Sequence, residues 1–454
     1  LAETDTDAVE QLDAPAAPQR KFDEGTPRLW QRYRRLPRNV FAISLVSLLN
    51  DASSEIIYPL LPLFLSVTLG ASPAIIGYIE GAAESVSSLL KLFAGYFSDR
   101  RSKRKGLVVF GYGLASFARP VLAFATSWPQ VFAIRLIDRV GKGIRSAPRD
   151  AMIADSVSVK ERGLAFGFHR AMDHAGAVIG PLIGYVLIYF IAADRNALAA
   201  IDYKTIFLVA SVPAMAAVFV VGWLVRETPP EQRAGMSGGA NSKAAANNKA
   251  DANNNAAQPP RLSLRGFDGN FKIFLLLVAL FTLSNSTDAF LIKRANEVGV
   301  SMLYIPLLWA ALHAVKVLSS LIGGDLSDRL GRRTLIVSGW LLYAAVYAGF
   351  AFITSAGAAW ALFLIYGIYF GLAEGTEKAL VADLVRPEQR GTAFGLYNLA
   401  FGITVLPASI LMGKLWAWYG AQAAFIVSAI IGAGAALLLL FLVRTEPPEL
   451  SAQT

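Results

Sequence analysis

Cysteine is absent from the 454 residues, which excludes disulfides, thiolate nucleophiles and cysteine-bearing metal sites. Histidine occurs only at His169, His174 and His313, with no closed metal-ligand spacing, so no metal is expected. Charge is also scarce: Asp, Glu, Lys and Arg make up 17% of the chain, where a soluble domain carries about 25%. No nucleophile–base set is visible, and Gly141-Lys142-Gly143 is too short to cradle phosphate. Neither an enzyme nor a cofactor is expected.

What is present is apolar. Hydrophobic residues make up 55% and the mean hydropathy is +0.47. Runs close to the roughly 20 residues that cross a bilayer as a helix recur throughout. Barrel strands would alternate every second residue over about ten positions, and these runs do not, so the backbone must satisfy itself as helix. The expected spans are 40–68, 74–97, 107–126, 130–153, 163–190 and 205–225, then 271–293, 302–326, 334–353, 359–382, 393–412 and 422–443. The fold class is therefore an all-α polytopic membrane protein with twelve transmembrane helices in two pseudo-symmetric six-helix bundles.

The expected organisation is a cytoplasmic basic tail (1–37), a first bundle (38–226), a disordered cytoplasmic tether (227–268), a second bundle (269–445) and a short cytoplasmic tail (446–454). The tether holds too little apolar surface to repay its ordering entropy. The first 19 residues are polar and show no signal-peptide core. Arg28, Arg32, Arg34, Arg35 and Arg38 would face phospholipid headgroups.

A net charge of +9 invites a nucleic-acid reading, but the basic residues cluster in short connectors. Arg100, Arg101, Lys103, Arg104 and Lys105 fall in one such connector, and Arg329, Arg332 and Arg333 in another, whereas 69–73, 126–129 and 354–358 carry no Lys or Arg. That asymmetry sets topology, with both termini cytoplasmic in a bacterial inner membrane; no nucleic acid is expected.

The two halves repeat. GYFSDRRSKRK (95–105) matches GDLSDRLGRR (324–333), and Asp155 with ERGLAFG (161–167) matches Asp383 with QRGTAFG (389–395). Two homologous bundles meeting around a cavity can rock open to either side, as a transporter requires.

These segments resemble the loop signatures of the major facilitator superfamily, across about 38–445. Arg135, Gly141 and Gly143 resemble its fourth-helix motif, with Arg139 in place of a glycine. Gly167, Gly176, Gly180, Pro181 and Gly184 resemble its fifth-helix antiporter motif, with Tyr185 in place of the last glycine. The resemblance implies a monomeric, proton-coupled drug or metabolite antiporter exporting a small organic solute. The alternatives are uptake of an organic anion and a non-transporting receptor or scaffold.

Site candidates follow from the cost of charge in lipid, at least about 2.5–3.5 kcal/mol at mid-bilayer. Asp51, Glu55, Glu84 and Asp288 are candidates for proton coupling, with Arg135 added by the family motif. Span four carries Arg135, Asp138, Arg139, Lys142, Arg145 and Arg149, a positive surplus suited to anionic solutes or to an internal ion network. Substrate-binding candidates are Arg135, Arg139, Lys142, Tyr58, His169, Trp309, His313 and Asn398. Asp99, Arg100, Arg104, Asp155, Asp328, Arg329, Arg333 and Asp383 are candidate gate residues. Gly176, Gly180, Pro181 and Gly184 are expected to pack helices closely.

Overall fold

The computed structural model describes residues 36–100, 104–158, 162–227, 264–386 and 389–444. Most of the expected basic tail, most of the tether and the final tail lie outside the described residues.

Twelve helical spans are present among the described residues. The first bundle holds α1 (Arg38–Ile57, prolonged by a turn and a π-helical stretch to Thr68), α2 (Pro73–Arg100), α3 (Lys105–Leu122), α4 (Trp128–Ala154), α5 (Arg162–Ile191) and α6 (Ala200–Trp223). The second holds α7 (Gly269–Ser284 and Ala289–Glu297), α8 (Ile305–Leu330), α9 (Arg332–Phe352) and α10 (Ala356–Asp383). Its last two helices, α11 and α12, are the arms of Arg390–Leu442 on either side of Gly420, whose φ of 83° breaks the α-helix. Gly tolerates that left-handed conformation without a Cβ clash.

Seven helical segments are long and apolar enough to cross a membrane on length and composition alone, α11 and α12 counting as one. The others, α2, α3, α4 and α8, carry ionisable side chains, among them Glu80, Glu84, Arg135 and Lys316. They meet that cost by facing protein rather than lipid. Glu80 and Arg135 are both buried.

Two spans are less regular than hydropathy implies. In α1, Pro59 supplies no amide proton, the α-helix stops at Ile57, and the chain resumes with a π-type bond from Leu69 N to Phe64 O. In α7, the polar run Asn285-Ser286-Thr287-Asp288 interrupts the helix. Short polar side chains offer the backbone local partners that compete with the helical ladder. Thr287 Oγ1 accepts from Ala289 N, and the buried Tyr343 hydroxyl donates to Ser284 O at 2.6 Å. Tyr343 thus satisfies a carbonyl that the break leaves exposed, as irregular backbone within a membrane requires.

Within the first bundle α1 packs against α5 and α6, α2 against α4, and α3 against α4 and α6. In the second, α8 packs against α10, and α9 against α10 and α12. The bundles meet along two seams, α2 with α11 and α5 with α8. At the end of the molecule away from the basic connectors, the α2–α11 seam is very close. A Cβ on Gly413 would sit 2.6 Å from Pro73 O, and one on Gly81 would sit 2.8 Å from Ser409 Cβ. Connectors seal the same end: Ser301 Oγ donates to Asn196 Oδ1 at 2.6 Å and Leu303 N to Arg195 O at 3.1 Å.

Candidate functional site

Between the bundles lies a cavity of about 420 Å³, a size suited to a small organic molecule. Its far end is formed by Tyr58 on α1 and the broken stretch of α7, where Tyr58 Oη lies 3.5 Å from Thr287 Oγ1. From there it runs toward the basic-connector end, reaching the exposed Glu374, Lys378 and Asn398. The opposite end is shut by the glycine seam and connector bonds described above.

The first-bundle wall comes mainly from α2, on which Glu80, Glu84, Ser88 and Lys91 recur at helical spacing, with Arg139 from α4. The second-bundle wall is aromatic. Tyr366, Tyr369 and Phe370 share one face of α10, with ring centroids 4.9–5.7 Å apart, and Phe281 of α7 lies 5.9 Å from Tyr369.

Most carboxylates lining the cavity are already engaged. Glu80 takes a two-pronged bond from Arg135, Nε to Oε1 at 3.0 Å and Nη2 to Oε2 at 2.7 Å. Asp288 accepts from the Tyr366 hydroxyl at 2.8 Å, and Lys316 Nζ lies 3.8 Å away. Glu377 accepts from Trp340 Nε1 at 2.8 Å and from the Tyr397 hydroxyl at 2.6 Å. Glu374 pairs with Lys378.

Of the proton-coupling candidates, Glu84 and Asp288 line the cavity. Glu55 stands beside its closed end and joins the bundles: its Oε2 accepts from Trp309 Nε1 of α8 at 2.7 Å, with His313 Nε2 at 4.0 Å. Asp51 accepts from its neighbour Asn50, which itself accepts from Arg119. Arg135 lies in the first-bundle interior, 3.8 Å from Asp138, which is 3.8 Å from Arg119.

Of the substrate candidates, Tyr58, Arg139 and Asn398 line the cavity. Arg135 is held by Glu80 and Trp309 by Glu55, while His313 Nε2 lies 4.0 Å from Glu55 without a hydrogen bond. Lys142 lies behind the wall, among the charges acting most strongly on Glu84. His169 is buried, 3.7 Å from Asp173 and away from the cavity lining.

The side chains of four gate candidates, Asp99, Arg100, Asp328 and Arg329, lie outside the described residues. The rest form a repeated pattern: Arg104 at the start of α3 pairs with Asp155 at the end of α4, and Arg332 at the start of α9 pairs with Asp383 at the end of α10. Arg333 instead donates to Val443 O at 2.9 Å. The glycines of α5 lie against α1: a Cβ on Gly176 would be 2.6 Å from Leu48 O, and one on Gly180 2.9 Å from Glu55 Cβ. Gly184, one turn beyond the interior Pro181, faces Pro306 of α8 at an ordinary 3.7 Å.

Reasoning from sequence missed Lys91, although its spacing from Glu84 and Ser88 marks one helical face. It also missed the break in α7 and the hold of Trp340 on Glu377, which join residues far apart in the chain.

Two helical bundles closed at one end over a polar and aromatic cavity define a polytopic membrane transporter. The sequence profile of the Major Facilitator Superfamily matches residues 43–403 and 376–454, and the chain belongs to that family. It is 33% identical over 415 residues to an uncharacterized MFS-type transporter of Methanocaldococcus jannaschii, covering 90% of this chain and 96% of that protein. It is 22% identical to the multidrug resistance protein MdtH of Aeromonas salmonicida, covering 92% and 98%. Among solved structures, it is similar to a bacterial homolog of the human lysosomal transporter Spinster in an inward-facing and occupied conformation. The TM-score is 0.69 at 16% identity, covering 93% of this chain and all of that one.

Proposed function

We propose that the protein is a proton-coupled antiporter that exports a small organic solute by alternating access. The positive-inside rule puts the basic connectors in the cytoplasm, so the present conformation faces inward, in a bacterial inner membrane with both termini cytoplasmic. The observation that carries the reading is the bond between Glu55 and Trp309. It ties α1 to α8 beside the closed end of the cavity, so it must break when that end opens. A proton on Glu55 removes the charge that strengthens the bond. Proton binding and the opening of the outer side are therefore linked through one carboxylate. Asp288, held by Tyr366 and Lys316, is a second carboxylate within reach of the cavity. The glycine face of α5 and the similarity to a protein named for multidrug resistance support export over uptake.

The test is flux in proteoliposomes under an imposed pH gradient, with a pH-sensitive dye inside and a panel of organic anions and cations. Solute efflux accompanied by counter-directed proton movement is the expected result. Glu55→Gln should exchange solute across the membrane without moving protons. Solute flux that ignores the gradient in the wild-type protein contradicts the proposal.

A further inference from the structure

We infer that the solute is an organic anion with an aromatic body, its acidic group held by Arg139 and Lys91 and its ring packed against Phe370 of α10. The inference rests on the reading of this cavity as the solute site.

Most of the charged groups along the cavity are satisfied within the protein. Glu80, Asp288 and Glu377 each accept from partners on their own bundle, and Glu374 is neutralised by Lys378 at the mouth. Glu84, Lys91 and Arg139 remain; among the described residues none makes a hydrogen bond or ion pair. All three line the cavity, two cations to one carboxylate, with Lys142 adding positive charge behind them. Arg139 Nε is enclosed and has no acceptor. A buried donor left unmet is costly, and a guanidinium presents a planar fork that matches a carboxylate or a phosphonate. Glu84 lies within electrostatic reach of these cations without a direct bond to either. The groups still able to take a partner therefore favour an anion.

The opposite wall selects the body of the ligand. Phe281, Tyr366 and Tyr369 line that wall but are themselves buried, so Phe370 is the partly exposed ring that meets the cavity. These rings are poorly placed to trap a cation: Lys316 Nζ already lies 3.5 Å from the centroid of Phe370. A planar ring packed against Phe370 gains quadrupole contacts that an aliphatic chain does not. Arg139 occupies a position where the fourth-helix motif has glycine, so the subsite is a feature of this chain rather than of the motif.

The test is calorimetric binding to detergent-purified protein, without any gradient, using four probes. They are 2-naphthoate, its uncharged amide, cyclohexanecarboxylate and 2-naphthylmethylammonium. Naphthoate is expected to bind at least about tenfold tighter than the amide and the ammonium, as a charge-assisted bond would give. It is also expected to bind more tightly than cyclohexanecarboxylate. Arg139→Gln should remove most of the preference for naphthoate over its amide, Lys91→Gln part of it, and Phe370→Ala should weaken naphthoate and its amide alike. If Arg139→Gln fails to fold, Arg139→Lys carries the same comparison and should keep part of the preference. Tighter binding of the ammonium probe, equal or absent binding of all four, or an unchanged acid-to-amide ratio in a folded Arg139 variant overturns the inference. A retained anion preference in a protein with no pH-driven flux would overturn the antiport proposal and leave this assignment standing.

Discussion

Trp309 Nε1 donates to Glu55 Oε2 at 2.7 Å, and His313 Nε2, one turn along α8, lies 4.0 Å from the same oxygen. This junction stands where α1 and α8 approach across the two bundles, and the rings of Tyr58 and Trp309, 5.1 Å apart, pack beside it. Trp309→Phe keeps the ring contact and removes the donor. The closed end should then open more often, raising severalfold the labelling by an impermeant thiol reagent of a cysteine placed at Leu303, which is buried at that seal. A labelling rate equal to wild type would mean that the bond does not hold that side shut. The cysteine-free sequence gives the experiment a clean background.

The glycine seam supplies a second, steric handle on the same equilibrium. A Cβ on Gly413 would meet Pro73 O at 2.6 Å and Ala74 Cα at 2.8 Å, both backbone atoms that cannot rotate away. Gly413→Val is expected to disfavour the present state, closed at the end away from the basic connectors. A cysteine at Phe401, within the cavity lining, should react several times more slowly from the basic-connector side than in the Gly413 parent.

The Glu80–Arg135 pair is buried, with both carboxylate oxygens bonded. Removing one partner strands the other, at a cost of about 3–5 kcal/mol. Glu80→Gln should therefore lower the melting temperature in detergent sharply. The double replacement Glu80→Leu with Arg135→Met should recover most of that loss, since an apolar pair needs no partner. If the single variant melts like wild type, the pair does not hold α2 to α4.

Two further side chains hold helix ends. Glu227 accepts from Arg104 N at 3.0 Å and Lys105 N at 2.7 Å, meeting donors that the start of α3 leaves open. Glu227→Ala should cost about 0.5–2 kcal/mol, as a lost helix cap does. Tyr343→Phe removes the donor to Ser284 O and should cost about 1 kcal/mol. Thermal unfolding of each variant measures both. An unchanged Tyr343→Phe protein would show that the α7 break does not depend on that hydroxyl.

The fold was legible because lipid leaves a chain few choices. Helices near 20 residues, charge asymmetry in the connectors and the duplicated loop sequences lead directly to twelve spans in two bundles. The repeat reaches side-chain detail: Arg104 with Asp155 and Arg332 with Asp383 are pairs 228 residues apart. The site was only partly legible. Sequence marks Arg135 as a costly charge but not Glu80 as its partner, because α2 and α4 are brought together by packing. Span four presents a positive surplus on paper; in the fold Arg135 goes to Glu80, Arg149 to Asp150 and Ser47, and Arg145 lies over the Tyr112 ring. Arg139 and Lys142 are left, and only Arg139 lines the cavity. The break in α7 lies within a run whose average hydropathy still reads as one span.

The central claim, that a proton on Glu55 is linked to the opening of the outer side, is tested most directly by a distance between labels at Ala197 and Glu297, one on each bundle, followed across pH in lipid. In the wild-type protein the short distance of the closed state should give way to a longer one as pH falls, and Glu55→Gln should favour the longer distance at every pH. A distance distribution that does not respond to pH, or one that responds equally in the Glu55→Gln protein, would contradict the account.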